Sequence, residues 1–265
     1  MAKRDLNSVE SGAVGALSGV IEVLLQQPSV SIKNAIQDRK PISMNPRVLY
    51  RGLFVNAGSI APVSAIQFGV NAFLEGSLSN SPTPLQKGMI AGAAGMVSGF
   101  ASSPAELVMI QQQRTGLSLL KQIQMISKKF GPLAFFRGLP PTVVREGFFT
   151  AAYLGANPVL QEKFHAAESL RAQPAMSTVL AAVVSGSTAT FVTHPFDTVK
   201  TRMQANLGPQ EYRSVTSTAK TLFKEGGVRA FYCGLLPRLQ RIVCAVFILG
   251  EAKTRLTDLY LHHFE

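Results

Sequence analysis

The chain has 265 residues, of which 46% are hydrophobic and only 15% are charged, and its formal net charge is +11. Soluble domains carry roughly 25% charged residues, so this composition favours a membrane protein. The positive charge does not indicate nucleic-acid binding, because the basic residues lie in short clusters between apolar stretches and are not interleaved with aromatic residues. The two cysteines, Cys233 and Cys244, have neither disulfide-framework nor zinc-ligand spacing.

Six apolar stretches follow one another along the chain. Each is long enough to cross a bilayer, which requires roughly 20 residues. Each also carries a few polar or charged residues, which favours helices that line a shared polar interior. Small residues recur four positions apart, for example at Gly95 and Gly99, and permit close helix contact in lipid. The stretches are residues 11–32, 53–75, 86–112, 139–161, 176–203 and 235–257.

A proline-centred motif returns three times in the same register. Each motif proline ends an apolar run and is followed nine residues later by a glutamine, and the pairs are Pro28 with Gln37, Pro104 with Gln113 and Pro195 with Gln204. A second mark, aromatic-x-Gly, precedes the next apolar stretch at Tyr50-Arg51-Gly52, Phe136-Arg137-Gly138 and Tyr232-Cys233-Gly234. The register predicts three tandem helix hairpins, at residues 8–80, 81–170 and 171–265.

The polar connector between the two marks varies in length. Residues 118–130 and 212–225 predict a short amphipathic helix in the second and third connectors. The first connector has little room for such a helix.

These motifs resemble the mitochondrial carrier family, whose repeat carries Pro-x-Asp/Glu-x-x-Lys/Arg on the odd helices and aromatic-basic-Gly before the even helices. The resemblance covers essentially the whole chain, and PFDTVKTRMQ in the third repeat is the fullest match. It implies an all-α membrane protein in which six transmembrane helices form three tandem hairpin repeats with pseudo-threefold symmetry. It also implies a multi-pass protein of the mitochondrial inner membrane that works by alternating access.

The family's matrix gate consists of ion pairs between the acid of one repeat and the base of the next. The acid positions here hold Val30, Glu106 and Asp197, and the base positions hold Lys33, Met109 and Lys200. We therefore expect Glu106–Lys200 and Asp197–Lys33 ion pairs beside an apolar Val30–Met109 contact, braced by the three motif glutamines. Losing both charges of one buried pair costs little, whereas losing one costs about 3–5 kcal/mol. Independent erosion of the two positions is the alternative.

The family's opposite gate has no acid-base set in this sequence. The corresponding positions are Asn71-Ala72 with Glu75, Asn157-Pro158 with Gln161, and Ala252-Lys253 with Leu256. Either packing and hydrogen bonds close this side, or the protein rests open to it, or it no longer alternates.

The substrate positions of the family fall at Ser59, Arg145-Glu146 and Arg241. Ser59, Arg145 and Arg241 each lie seven residues past the glycine of an aromatic-x-Gly mark, which is called a marker glycine below. This spacing places the three residues at one depth. Buried charges there are costly unless they pair or function. Arginines suit a carboxylate and Glu146 suits an ammonium, as in the family's amino-acid and S-adenosylmethionine carriers. An internal Arg145–Glu146 or Glu146–Arg241 pair is the alternative.

The three marker glycines open helices whose free amides attract phosphate. Cardiolipin is the implied lipid ligand, held at Gly52, Gly138 and Gly234, with Arg51 and Arg137 adding charge. Alternatively, the glycines only turn the chain.

The leading interpretation is a solute carrier for a small amino-acid-like or carboxylate metabolite, and not an enzyme. We expect no metal, cofactor or nucleic-acid partner, because no ligand cluster, nucleophile-base pair or phosphate loop is present. The alternative function is a carrier-fold structural subunit of a larger inner-membrane, respiratory complex with reduced transport or none.

Overall fold

The computed structural model describes residues 8–77, 83–167, 174–245 and 248, and these residues contain helices and no strand. Five long helical rods form the frame of a bundle. Four are single helices, and the fifth consists of two helices joined by a π-helical segment. Short helices lie in the connectors between them. Helix α6 continues through a π-helical segment, Ala151–Ala156, into α7. The helices are α1 (Ser8–Gln37), α2 (Pro46–Leu49), α3 (Leu53–Gly76), α4 (Pro84–Thr115), α5 (Leu119–Phe130), α6 (Leu139–Thr150), α7 (Asn157–Ala166), α8 (Pro174–Ala205), α9 (Val215–Gly226) and α10 (235–245).

The motif prolines lie inside three of the long helices, namely α1, α4 and α8, which are called the proline helices below. A proline inside a helix removes one backbone donor and bends the axis. The C-terminal ends of the three proline helices are joined to one another by the hydrogen bonds and ion pairs described in the next section. This end of the molecule is called the converging end.

The marker glycines begin the three helices that follow the proline helices. Gly52, Gly138 and Gly234 precede α3, α6 and α10 with φ angles of +80°, +84° and +82°. Residues with a Cβ rarely adopt this left-handed conformation, so the turn into each of these helices requires glycine. Each aromatic-x-Gly mark therefore ends directly before a helix.

The connectors differ as the sequence predicts. The second and third connectors contain the twelve-residue helices α5 and α9, whereas the first contains only the four-residue helix α2. Ile126 of α5 and Leu222 of α9 are both buried in small apolar clusters at the converging end. The amphipathic helices thus pack their apolar faces against the bundle.

Small residues bring α4 close to α6. A Cβ added to Gly99 would lie 3.0 Å from the Val143 Cα, and one added to Gly155 would lie 2.6 Å from the Gly88 Cα. A side chain at Gly99 or at Gly155 would push α4 away from α6 and its π-helical continuation. The π-helical segment precedes Pro158, which lacks the amide needed to continue a regular α-helical ladder.

Among the described residues, three segments are long and apolar enough to cross a membrane. They are Pro46–Gly76, Pro84–Thr115 and Ala175–Ala205. The first and fourth predicted stretches are also helical, and most of the sixth beyond residue 245 lies outside the described residues.

Candidate functional site

Two ion pairs join α8 to the other proline helices at the converging end. Lys33 Nζ lies 2.8 Å from Asp197 Oδ2, and Lys200 Nζ lies 3.1 Å from Glu106 Oε2. Asp197 and Lys200 are almost completely buried, with side-chain exposures of 1% and 2%. Both ion pairs expected from the motif are therefore present, and both depend on the third repeat.

The positions between the first and second repeats are apolar and buried. Val30 and Met109 are 5% and 7% exposed. Met109 packs against the first marker glycine, since a Cβ on Gly52 would lie 2.7 Å from the Met109 Cγ. The stems of Lys200 and Lys33 pack in the same way against Gly138 and Gly234. Met109 thus replaces a lysine stem, and its direct contact with Val30 stays a prediction.

Each motif glutamine reaches from its own proline helix to a neighbouring one. Gln37 Nε2 donates to Asp197 Oδ2 at 3.0 Å, and Gln204 Nε2 donates to the Ser103 carbonyl at 3.3 Å. Gln113 bonds to both Ser31 and Asn34 of α1. The three glutamines therefore link all three pairs of proline helices, including the pair that lacks an ion pair.

Arg145, predicted to contact substrate, lies against the ion pairs of the converging end. Its Nη2 lies 2.7 Å from Glu106 Oε1 and 2.5 Å from Glu146 Oε1. Its Nε lies 3.8 Å from Asp197 Oδ1. The structure thus contains the internal Arg145–Glu146 pair that the sequence left as an alternative, and adds a bond to Glu106 that the sequence did not suggest.

The two other predicted substrate positions are not joined to this pair by any described hydrogen bond or ion pair. Ser59 Oγ donates to the Asn56 carbonyl of its own helix at 2.8 Å. Arg241 lies within electrostatic range of Glu22, a 9% exposed carboxylate on α1. Arg241 therefore has an acidic neighbour in the first repeat.

Sequence reasoning missed two buried polar residues near this site. Arg238 Nη2 donates to Thr193 Oγ1 at 3.0 Å, and Arg238 Nη1 lies 3.9 Å from Asp197 Oδ2. Gln26 is 4% exposed, and neither polar atom of its side chain has a hydrogen-bond partner. The available signals were an arginine inside an apolar run and a glutamine one helical turn after Glu22.

The connected charges carry an excess positive charge. Four bases meet three acids, so the formal sum is +1, and the members are Lys33, Arg145, Lys200 and Arg238 with Glu106, Glu146 and Asp197. A buried group of this kind is stabilised by a further negative charge. The arrangement is suited to an anionic ligand.

The predicted lipid positions have different surroundings. A Cβ on Gly116, at the end of α4, would lie 2.9 Å from the Arg51 guanidinium carbon. Arg137 Nη1 is buried without a hydrogen-bond partner. Burial lowers the pKa of Arg137, and nearby Arg213 lowers it further. Two neighbouring cations at the second marker are therefore available to an anion.

The opposite gate has one described contact. Asn71 Nδ2 donates to Glu75 Oε1 at 3.1 Å within α3. Asn157, at the corresponding position of the second repeat, is buried and its Oδ1 has no hydrogen-bond partner. The third position set, residues 252–256, lies outside the described residues.

Among the described residues, no group of three or more histidine, cysteine, aspartate or glutamate side chains has metal-site geometry. The free cysteines Cys233 and Cys244 are both half-buried.

Comparison with known proteins identifies one family. The profile described as "Mitochondrial carrier protein" matches residues 80–168 and again residues 171–260. A mitochondrial succinate-fumarate transporter of Arabidopsis thaliana is 29% identical over 98% of this chain and 95% of its own length. A mitochondrial 2-oxodicarboxylate carrier of Saccharomyces cerevisiae is 26% identical over 97% of this chain and 95% of its own. A mitochondrial glycine transporter of the same yeast is 27% identical over 86% and 83%.

Proposed function

The chain belongs to the mitochondrial carrier protein family, and on that premise we propose that it carries a small carboxylate or amino-acid-like metabolite across the mitochondrial inner membrane. Family members are transporters, and the chain is similar to them over nearly its whole length. The observation that carries the proposal is the buried group of seven charges with one excess positive charge. Charges inside a membrane bundle are rare and mark the paths of ions and substrates.

We propose six membrane crossings in three repeats, with boundaries at residues 8–80, 81–170 and 171–265. The two family matches, at residues 80–168 and 171–260, support the last two repeats. Marker glycines with φ angles of +80° to +84° before three helices support the same division. The mean hydropathy of the three apolar segments supports crossings at those helices.

We propose that the converging end is the matrix gate in its closed state. The ion pairs Lys33–Asp197 and Glu106–Lys200 hold α8 to both neighbours. The glutamine bonds, together with the buried side chains of Val30 and Met109, close the remaining interface. Opening then separates one buried ion pair at each interface with α8 and none between α1 and α4.

The substrate class follows from the charges that remain available. Arg145 and Glu146 bond to each other, so a substrate carboxylate competes with Glu146 and Glu106 for the guanidinium. Arg241, which forms no described ion pair, offers a second carboxylate position. Glu22 and Gln26 lie one helical turn apart, and the Glu22 carboxylate and the unpaired Gln26 Oε1 are acceptors for a substrate ammonium. Succinate, fumarate, 2-oxodicarboxylates and glycine, named for the relatives, all carry a carboxylate.

This arrangement couples the substrate to the gate. Arg145 bonds directly to Glu106, which is also a partner of Lys200. A carboxylate that draws Arg145 away leaves Glu106 to Lys200 alone and changes the strength of that gate ion pair, which couples substrate binding to the equilibrium between the closed and the open gate. A substrate can shift this equilibrium only through such differential contacts.

We also propose that cardiolipin binds at the marker glycines. Helix N-termini offer free amides to a phosphate, and Gly138 has Arg137 and Arg213 close by. Arg51 is the corresponding cation at Gly52, where it lies against Gly116.

A structural subunit of a larger inner-membrane complex is the second candidate function. It is favoured by the opposite gate, where Asn71 bonds only to Glu75 of its own helix and no acid-base set crosses between repeats in the sequence. The buried charges at the converging end favour transport instead, because a purely structural role does not require them.

Transport into liposomes distinguishes the two functions. The purified protein is reconstituted into liposomes that are loaded with succinate, 2-oxoglutarate, glycine or ATP. The same compound in labelled form is then added outside. We expect exchange of at least one carboxylate and none of ATP, and Arg241→Gln should raise its half-saturation concentration. Absence of exchange for every compound, in a protein that remains folded, would favour the structural function.

A further inference from the structure

A cavity lies at the converging end, outside the buried charge group. Its volume is about 650 Å³, within the range of about 300–1,000 Å³ that is usual for small-molecule sites. It is bounded by the ends of α1 and α4, by the first connector, by the last turns of α5 and by residues 205–209 after α8. None of the three marker glycines lines it, so it is separate from the proposed cardiolipin positions.

The short first connector explains the cavity. The second and third repeats fill the corresponding region with α5 and α9, which each have twelve residues and bury apolar side chains. The first repeat has only the four-residue α2, which buries no side chain. Apolar walls are consequently left exposed at Ile42 and partly exposed at Leu49, Met125 and Phe130, and buried Ile110 and Leu207 lie behind them.

The charged residues of the cavity are not balanced. Asp38 is occupied, since Arg114 Nε lies 3.5 Å from its Oδ2 and Asn206 Nδ2 donates to its Oδ1 at 3.0 Å. Lys40 and Lys129 also line the cavity, and neither forms an ion pair among the described residues. Lys129 Nζ lies 5.5 Å from the ring centroid of Phe130, which places a cation beside an apolar wall.

We propose that this cavity binds an amphipathic anion, with an apolar chain against the uncovered walls and a phosphate or carboxylate headgroup at Lys40 and Lys129. The apolar residues require an apolar partner, because exposed apolar surface of this kind marks binding sites. Lys40 and Lys129, which form no ion pair among the described residues, favour a negative headgroup over a neutral one. A small polar anion would leave the apolar walls in contact with water. A neutral amphiphile would leave the two lysines without an ion-pair partner.

A ligand in this position contacts all three repeats. Residues of α1, of α4 and of the segment after α8 meet at the cavity, and their polar contacts already cross between repeats through Asp38, Arg114 and Asn206. A bound amphiphile therefore stabilises the converging end in its joined state, and binding raises the thermal stability of the protein.

The test uses the full-length protein in nanodiscs of neutral phosphatidylcholine, with dodecyl phosphate as the probe. We expect a saturable rise in Tm with dodecyl phosphate, and no comparable rise with inorganic phosphate or with dodecyl maltoside. Inorganic phosphate tests the headgroup alone and the maltoside tests the chain alone. An equal rise with either compound overturns the proposal, as does the absence of any rise with dodecyl phosphate.

Three variants assign the effect to the cavity. Lys40→Gln/Lys129→Gln should weaken the apparent Kd about tenfold, as expected for the loss of two partly exposed ion pairs. Lys128→Gln is the matched control, because Lys128 is an exposed neighbour on the same helix that does not line the cavity, and its Kd should equal that of the wild type. Ile42→Asp places an acid on the apolar wall at a residue that is 46% exposed, so it should fold and bind weakly. Equal binding by all three variants overturns the proposal.

The source of the amphiphile is tested by adding anionic phospholipid to the nanodisc. If the phospholipid removes the response to dodecyl phosphate in the wild type, and the Lys40→Gln/Lys129→Gln variant is not stabilised by that lipid, the occupant is a membrane lipid. If the response persists, the occupant is a water-soluble acyl anion. Either result supports the cavity as the site.

Discussion

Arg145 connects the proposed substrate site, through Glu146, with the ion pairs of the converging end, through Glu106. Its guanidinium bonds to Glu106 and Glu146 at once, and its side chain is only 13% exposed. A planar guanidinium can hold two carboxylates, which a lysine ammonium holds less well. Because the partners are buried, the cost of losing this residue depends on which charges are left without a partner.

The first prediction concerns the Arg145–Glu146 pair. Arg145→Gln leaves two buried acids with less compensation and should destabilise the protein by about 3–5 kcal/mol. Arg145→Gln/Glu146→Gln should be less destabilised than Arg145→Gln alone, since the second change removes one of the uncompensated charges. Thermal unfolding of the purified protein measures both, with Glu146→Gln completing the double-mutant cycle. Additive losses in the double variant would contradict the pairing.

A second prediction at the residue scale separates backbone conformation from close packing at a marker glycine. Gly52 and Gly116 are both in the left-handed conformation, with φ angles of +80° and +75° and ψ angles of 4° and 9°, but an added Cβ meets different atoms at the two positions. At Gly116 the nearest atoms belong to the guanidinium end of the flexible Arg51 side chain, which can move away, so Gly116→Ala should cost about 1–2 kcal/mol from the conformation alone. Gly52→Ala should cost more, because its Cβ would lie 2.7 Å from the Met109 Cγ. Denaturant unfolding of both variants gives the difference, and equal losses would show that packing at Gly52 is unimportant.

At the scale of the elements, the three interfaces between proline helices are not equivalent. The two interfaces with α8 contain ion pairs, whereas α1 and α4 are joined by hydrogen bonds of Gln113, and the corresponding charge positions of these two helices hold buried Val30 and Met109. Glutamine bonds tolerate an apolar neighbour, but an unpaired buried charge does not. The two departures from the motif are therefore compatible with a closed converging end.

The third prediction tests whether Val30 and Met109 face each other. Val30→Glu and Met109→Lys each bury an unpaired charge, so each single variant should be strongly destabilised. Val30→Glu/Met109→Lys should recover part of the loss, because it installs the missing ion pair. The Tm of the four proteins measures the coupling. If the double variant loses the sum of the two single losses, the residues lie apart, and the independent-erosion interpretation gains support.

At the scale of the whole molecule, the repeats are tied by polar contacts that cross between them in every pair. Asp197 alone is approached by Lys33, Lys200, Arg145 and Arg238. A second set at the rim joins Arg39 and Arg202 to Glu225, at 3.3 and 2.7 Å. These charged groups find ion-pair partners within one chain.

The fourth prediction follows from the proposed transport function, which does not require a larger complex. After mild detergent extraction from mitochondria, the protein should migrate on native electrophoresis as a small particle, apart from the respiratory complexes. Immunodetection on the gel measures its size, and a respiratory subunit on the same gel serves as the control. Comigration with a large complex at all detergent concentrations would favour the structural function.

The sequence by itself determined the features that depend on local chemistry and on register. Three prolines, each followed nine residues later by glutamine, and three glycines in aromatic-x-Gly marks predicted where the long helices bend and begin, because proline restricts a helix and a left-handed φ favours glycine. The resemblance to the carrier family, placed on the same register, implied both ion pairs, since matching positions in tandem repeats occupy matching places at the converging end. The amphipathic helices α5 and α9 were predicted from their apolar period for the same reason.

Only the tertiary structure decided which partners the remaining charges have. The sequence allowed Arg145 to contact substrate or to pair with Glu146, and it gave no reason to choose Glu106, which lies on another helix. Arg238 was missed because its partners, Asp197 and Thr193, are far from it along the chain. The cavity beside α2 could not be predicted from the sequence either. It exists because the first connector is short, and its walls come from all three repeats. Repetition fixes equivalent positions, whereas contacts between different elements depend on how the helices are placed around one another.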